Sequence, residues 1–154
     1  MASGIEFPFG FKSKYRAELF FEIVVPAQTG NIQVVVEEVK RRIRDLKYPE
    51  SISDFDIPLA LTEALANAIV HGSRKDPSKN VTVSVSATRK RFECVVTDEG
   101  PGFNHRMAND CVASTDDPPT SGRGLFLIRN LMSEVKFNRA GNQIRLVLKY
   151  PGPM

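Results

Sequence analysis

The chain has 154 residues, 42% of them hydrophobic and 25% charged, a composition that suits one globular domain and not a disordered chain. No run of about 18 apolar residues exists, so no membrane span is expected, and the first residues lack the basic-then-apolar order of a secretory signal. The net charge of +3 and pI of about 9.0 are too mild to point to nucleic acid by themselves.

Residues 1–18 mix Phe7, Phe9 and Phe11 with Gly4, Pro8 and Gly10, and read as a tail or an edge strand. Leu19 to Val25 is a short apolar run closed by Pro26, a predicted strand. Ile32, Val35, Val36, Val39, Ile43 and Leu46 follow at helical spacing, with Lys40, Arg41, Arg42, Arg44 and Lys47 toward the end where cations suit the helix dipole. That basic run reads as a solvated helix face or as an RNA-binding surface. The predicted strands lack paired surface aromatics for stacking bases, so no direct nucleic-acid contact is expected.

A second helix is predicted from about Asp56 to His71, with Pro58 in its first turn and Gly72 past its end. Val81, Val83 and Val85, then Phe92, Cys94 and Val96, alternate with other residues as two strands. Residues 103–121 show no periodicity and read as a functional loop, a lid. Leu125 to Met132 is a short apolar helix, and Val135 to Asn138 with Gln143 to Lys149 form a hairpin around Ala140-Gly141. This order predicts a two-layer α/β (α+β) sandwich: a mostly antiparallel sheet covered on one face by about three helices, one domain over residues 19–150. The two cysteines, Cys94 on a strand and Cys111 in the loop, have no metal-ligand spacing, so a reduced, cytoplasmic protein is expected.

Three polar signatures stand out. On the second helix Leu61, Leu65 and Ala68 occupy one side and Leu59, Ala66 and Val70 nearly the opposite one, so burial on both sides is expected. Glu63, Asn67 and His71 nevertheless form one stripe at i, i+4 spacing, flanked by Ala60 and Ala64. They satisfy one another or the backbone, or else they face a ligand: Asn67 offering its oxygen to Mg²⁺, Glu63 accepting a proton one turn earlier. His71 reads more simply as a helix-end residue. Asp98, Gly100 and Gly102 after the strand make either a plain turn or a base site. In the second reading the carboxylate accepts from adenine's exocyclic amine, which guanine lacks there, and Phe103 adds an apolar wall. Gly122, Arg123 and Gly124 lead into Leu125 and the third helix, as a hinge or as a helix start whose N–H groups face phosphate. Arg123 suits the phosphates and a protein partner equally. The P-loop and dinucleotide fingerprints are both absent.

Together these residues resemble the nucleotide-binding boxes of the Bergerat-fold ATPases. LTEALANAIVHG, VTDEGPGF and GRGLFLIRNLMSEVKF are most similar to the bacterial anti-sigma-factor serine kinases of the RsbW and SpoIIAB type, over residues from about 19 to 149. The resemblance implies ATP and Mg²⁺ as cofactors, Glu63 as catalytic base and Asn67 as metal ligand. It implies Asp98 as adenine reader, with Gly100, Gly102, Gly122 and Gly124 as nucleotide-loop glycines. It further implies a sigma factor and a STAS-domain anti-anti-sigma protein as partners, the latter phosphorylated on serine or threonine, and a homodimer. Asp116, Asp117, Pro118 and Pro119 depart from expectation, since they make the lid acidic where phosphate prefers cations. The alternative is a regulatory module that binds ATP and a partner without phosphotransfer. A detached histidine-kinase domain fits less well: His71 and His105 are the chain's histidines, and no helical hairpin presents either as a phosphoacceptor.

Overall fold

The computed structural model describes residues 18–102 and 120–152, with residues 120–122 described by backbone alone. The expected tail therefore lies outside the described residues apart from Glu18, whose N–H bonds the carbonyl of Ala87 at 2.9 Å. Phe103 and most of the expected lid also lie outside them.

The strands are β1 (Leu19–Pro26), β2 (Asn80–Thr88), β3 (Arg91–Asp98), β4 (Glu134–Phe137) and β5 (Gln143–Lys149). The helices are α1 (Asn31–Ile43), α2 (Ile57–Ala66) and α3 (Thr120–Leu131). The sheet order is β1-β2-β3-β5-β4, and every pairing is antiparallel. β3 thus sits at the centre, between its hairpin partner β2 and β5, the second strand of the hairpin that follows α3.

Register explains the core. Val81, Val83, Val85 and Ala87 of β2 stand opposite Asp98, Val96, Cys94 and Phe92 of β3. Those last three stand opposite Ile144, Leu146 and Leu148 of β5. Side chains directly opposite share a face, so one apolar surface crosses three strands. The helices cover it with Val35, Val36, Val39 and Ile43 of α1, Ile57, Leu61 and Leu65 of α2, and Leu125 and Ile128 of α3. Each fully buried leucine or isoleucine here contributes about 1.5–3 kcal/mol relative to exposure. Asp98 shares the register of the core valines, so its carboxylate points at the helix layer.

The other face is polar. Arg91 and Arg145 both donate to Glu93 Oε1, at 2.6 and 2.7 Å, and Ser84 Oγ donates to Glu22 at 3.0 Å.

α1 ends in a tight turn over Arg44–Leu46, and Lys47 closes it with φ 57°. α2 lies between α1 and α3. It differs from expectation in two ways. The helical stretch spans residues 51–72, with wide i→i+5 turns over Ser51–Asp56 and Asn67–Gly72 on either side of the regular segment. And it is buried on one side: Leu61 and Leu65 are enclosed, while Leu59 is 42% exposed and Ala66 and Val70 half-buried. The apolar residues of its second side meet solvent because no element covers that side among the described residues.

Candidate functional site

The end of α2 builds the first wall. Asn67 is where α-geometry gives way: its N–H is shared between the carbonyls of Glu63 and Ala64. The wide turn that follows closes with Ser73 N–H on Ala68 O at 2.8 Å and Lys75 N–H on Ile69 O at 2.7 Å. Such i→i+5 turns recur at functional sites because they shift side chains off the regular helical stripe. Here the turn delivers His71 and Gly72 beside the C-terminal end of β3.

Asp98 is the second wall. It is 8% exposed, and its Oδ1 accepts the Gly100 N–H at 2.7 Å. Burial pushes its carboxyl up to about 6, against the opposing pull of that bond and of Lys79. The approach of Gly72 is close: a Cβ there would lie 2.3 Å from Asp98 Oδ2. A Cβ on Gly100 would lie 1.9 Å from the Gly72 carbonyl oxygen. The helix end, the carboxylate and the turn after β3 therefore meet where only glycine leaves room. Gly102 has φ 85°, and a Cβ on it would strike the carbonyl oxygen of Ala140 at 1.8 Å.

These walls enclose a cavity of about 230 Å³. Ala64, Ala68, Val96 and Ile144 supply apolar surface, while Asn67, Asp98 and Asn142 supply polar groups. That volume is below the ~300 Å³ at which pockets for drug-sized ligands begin, so it suits one flat heterocycle and not a whole nucleotide. A larger groove of about 900 Å³ runs along α1, but the charged residues that line it, Glu37, Glu38, Lys40, Arg41, Glu50 and Asp54, are exposed or half-buried.

The structure brings most of the sequence candidates together. Asn67, Asp98, Gly102 and Leu125 line the cavity, and Gly100 holds the carboxylate from behind. Glu63, half-buried, stands beside Asn67: a Cβ on Gly124 would lie 2.8 Å from Glu63 Oε2 and 3.5 Å from Asn67 Nδ2. Arg123 is exposed. Gly122 and Gly124 lie inside α3, which begins at Thr120, and not ahead of it as the sequence led us to expect. Gly122 falls in the first turn, where backbone N–H groups have no helical partner. His71, at the helix end as expected, is exposed at the cavity mouth. Gly72, Gly141 and Asn142 were missed as site residues. Gly72 read only as a helix stop, and nothing in the sequence places the 138–142 turn beside Asp98.

The family model of the histidine kinase-like ATPase domain matches residues 24–148. The chain belongs to this family. The Bergerat-type ATPase resemblance drawn from its polar signatures is borne out. Among ATPase-domain relatives, the serine-protein kinase RsbW of Bacillus subtilis is 27% identical over 140 residues, covering 85% of each chain. The anti-sigma F factor of Halalkalibacterium halodurans is 24% identical, covering 85% of this chain and 81% of that one. The fold matches the RsbU and RsbW domains of a Mycobacterium tuberculosis protein with a TM-score of 0.56 at 16% identity. That match covers 86% of this ATPase domain and 31% of the longer chain. No helix among the described residues is long and apolar enough to cross a membrane.

Proposed function

We propose that this chain is an ATP-dependent serine kinase of the anti-sigma type. It binds a sigma factor and phosphorylates a serine or threonine on a STAS-domain anti-anti-sigma protein, as a cytoplasmic homodimer. The observation that carries the nucleotide reading is a buried carboxylate at the wall of an apolar, base-sized cavity, framed by glycines with no room for a Cβ. An acceptor in that position suits adenine's amino group and disfavours guanine's carbonyl. The names of the relatives, a serine kinase and an anti-sigma factor, support the partner assignment.

In this reading Asp98 accepts from the adenine amino group, and Ala64, Ala68, Val96 and Ile144 contact the ring. The first-turn amides of α3 face the phosphates, where the helix dipole favours negative charge. Asn67 fits Mg²⁺: its side chain offers a hard oxygen, next to the Glu63 carboxylate and at the phosphate end of the cavity. The ion, when bound, supplies charge neutralisation on the phosphate oxygens. Glu63 orients the incoming hydroxyl and takes its proton as the serine oxygen bonds to the γ-phosphorus and the bond to the β-phosphate oxygen breaks. ADP leaves with the electron pair of that bond.

Two measurements test this. Mg-ATP should raise the melting temperature, by the equivalent of about 2.7 kcal/mol at a hundredfold excess over Kd, and Mg-GTP should not. Label from [γ-³²P]ATP should then appear on a STAS-domain substrate. Equal response to both nucleotides would remove the adenine assignment. ATP binding without label transfer would leave a regulatory binding module.

A further inference from the structure

We propose that Asn138, outside the cavity, positions the adenine site. The inference rests on the reading of the cavity as an adenine pocket, and extends it to the turn between β4 and β5. Asn138 follows the last residue of β4. Its Oδ1 accepts three backbone N–H groups: Gly141 at 2.9 Å, Asn142 at 3.1 Å and Gln143 at 3.2 Å. Its Nδ2 donates to Asn142 Oδ1 at 2.8 Å. One side-chain amide therefore gathers the whole turn around itself and fixes the rotamer of Asn142.

The turn passes that order to Asp98. The Asn142 carbonyl accepts the Asp98 N–H at 2.9 Å, and Asn142 Nδ2 reaches the Asp98 carbonyl at 3.3 Å. Ala140 O lies against Gly102, so the turn touches both ends of the 98–102 segment. It also contributes Gly141, Asn142 and Gln143 to the cavity wall. Asn138 is half-buried, so water can replace its hydrogen bonds when the side chain is removed. The loss then falls on the placement of the wall and of Asp98, more than on the fold.

The test compares the parent with Asn138→Ala and Asn138→Asp by calorimetric titration with Mg-ATP and by steady-state phosphotransfer. Aspartate keeps the oxygen that accepts the three N–H groups; its second oxygen, in place of the Nδ2 donor, meets Asn142 Oδ1, so that amide turns over and gives up its bond to the Asp98 carbonyl while the Asp98 N–H keeps its own. Asn138→Ala should weaken Mg-ATP about tenfold, on the scale of one or two net hydrogen bonds, with kcat at saturating ATP unchanged. Asn138→Asp should recover most of the affinity. In the nucleotide-free protein, amide exchange at Asp98 should quicken in the alanine variant and not in the aspartate one. A parent that binds no Mg-ATP overturns both readings. A parent that binds it, with Asn138→Ala binding as tightly, overturns this one alone. So does a large loss of melting temperature in Asn138→Ala that aspartate does not restore.

Discussion

Asp98 carries two opposed pH dependences. Its carboxyl is raised to about 6 by burial, above the unfolded value, so between about pH 4 and 6 the folded chain holds a proton that the unfolded chain has lost. The contribution of Asp98 to stability therefore grows as pH falls through 6 and is lost as pH rises. On the proposed adenine reading, nucleotide affinity moves the other way, because protonation turns an accepting oxygen into a donor. We expect the melting temperature of the nucleotide-free chain, relative to Asp98→Asn, to rise on acidification from pH 7 to 5, while the Mg-ATP-induced shift shrinks. A difference between the two proteins that stays flat with pH would remove the raised carboxyl from the account. Glu63 stands outside the base pocket, beside Asn67 and Gly124, and in the proposed mechanism it acts on the incoming hydroxyl. Glu63→Gln should keep the ATP Kd within about twofold and lose about 10²–10⁴-fold in phosphotransfer, read by label incorporation. At this scale the sequence was informative wherever residue type dictates chemistry. Asp98, Asn67 and Glu63 were legible from charge, amide and spacing. Gly72 was not, because its reason is a carboxylate that arrives from 26 positions along the chain (72 to 98).

Periodicity located the elements well where one face is buried. The valines of β2 and the apolar spacing of α1 matched the observed strand and helix closely. It failed at α2, where apolar residues on two sides suggested burial on both, yet only one side meets the sheet. It also stopped short at Ser51–Asp56: the predicted helix starts only at about Asp56, although the backbone already coils there in wide turns. The start of α3 differs from the sequence expectation for a related reason. Gly122 and Gly124 weaken helix propensity, and the contact of α3 with α2 overrides them. That override makes a prediction. Gly124→Ala should raise intrinsic helix stability by up to about 1 kcal/mol, while its Cβ, 2.8 Å from Glu63 Oε2, pushes the carboxylate aside. Thermal melting should show an unchanged or slightly more stable fold, and the transfer assay a clear loss. A variant as active as the parent would show that α3 has slack against α2.

Across the molecule, the sheet separates two kinds of polar group. Asp98 faces the helices and serves the cavity. Glu93, five residues earlier on the same strand, faces the opposite side between Arg91 and Arg145 and is 1% exposed. Removing that charge takes the nearest carboxylate from two guanidinium groups and leaves them Glu134, 4.0 Å from each. Glu93→Gln should cost about 3–5 kcal/mol of stability in urea unfolding, with the ATP Kd of the folded fraction unchanged. An altered Kd with unaltered stability would mean that the two faces are coupled through β3. The two-layer architecture was readable from element order. The adjacency of β3 and β5 was not, since it brings together residues about fifty positions apart, and with it came the 138–142 turn that completes the site.

β3 also carries a silent chronometer. Cys94 is fully enclosed and its thiol is pushed up to about 12, so at neutral pH almost none of it is thiolate. A dissolved alkylating reagent can attack it only during the brief intervals when helices and sheet part company. With Cys111 replaced by serine, the pace of that modification would report how often the core breathes. Any small molecule that latches onto Asp98, four residues along the same strand, should slow the clock in proportion to how tightly it holds.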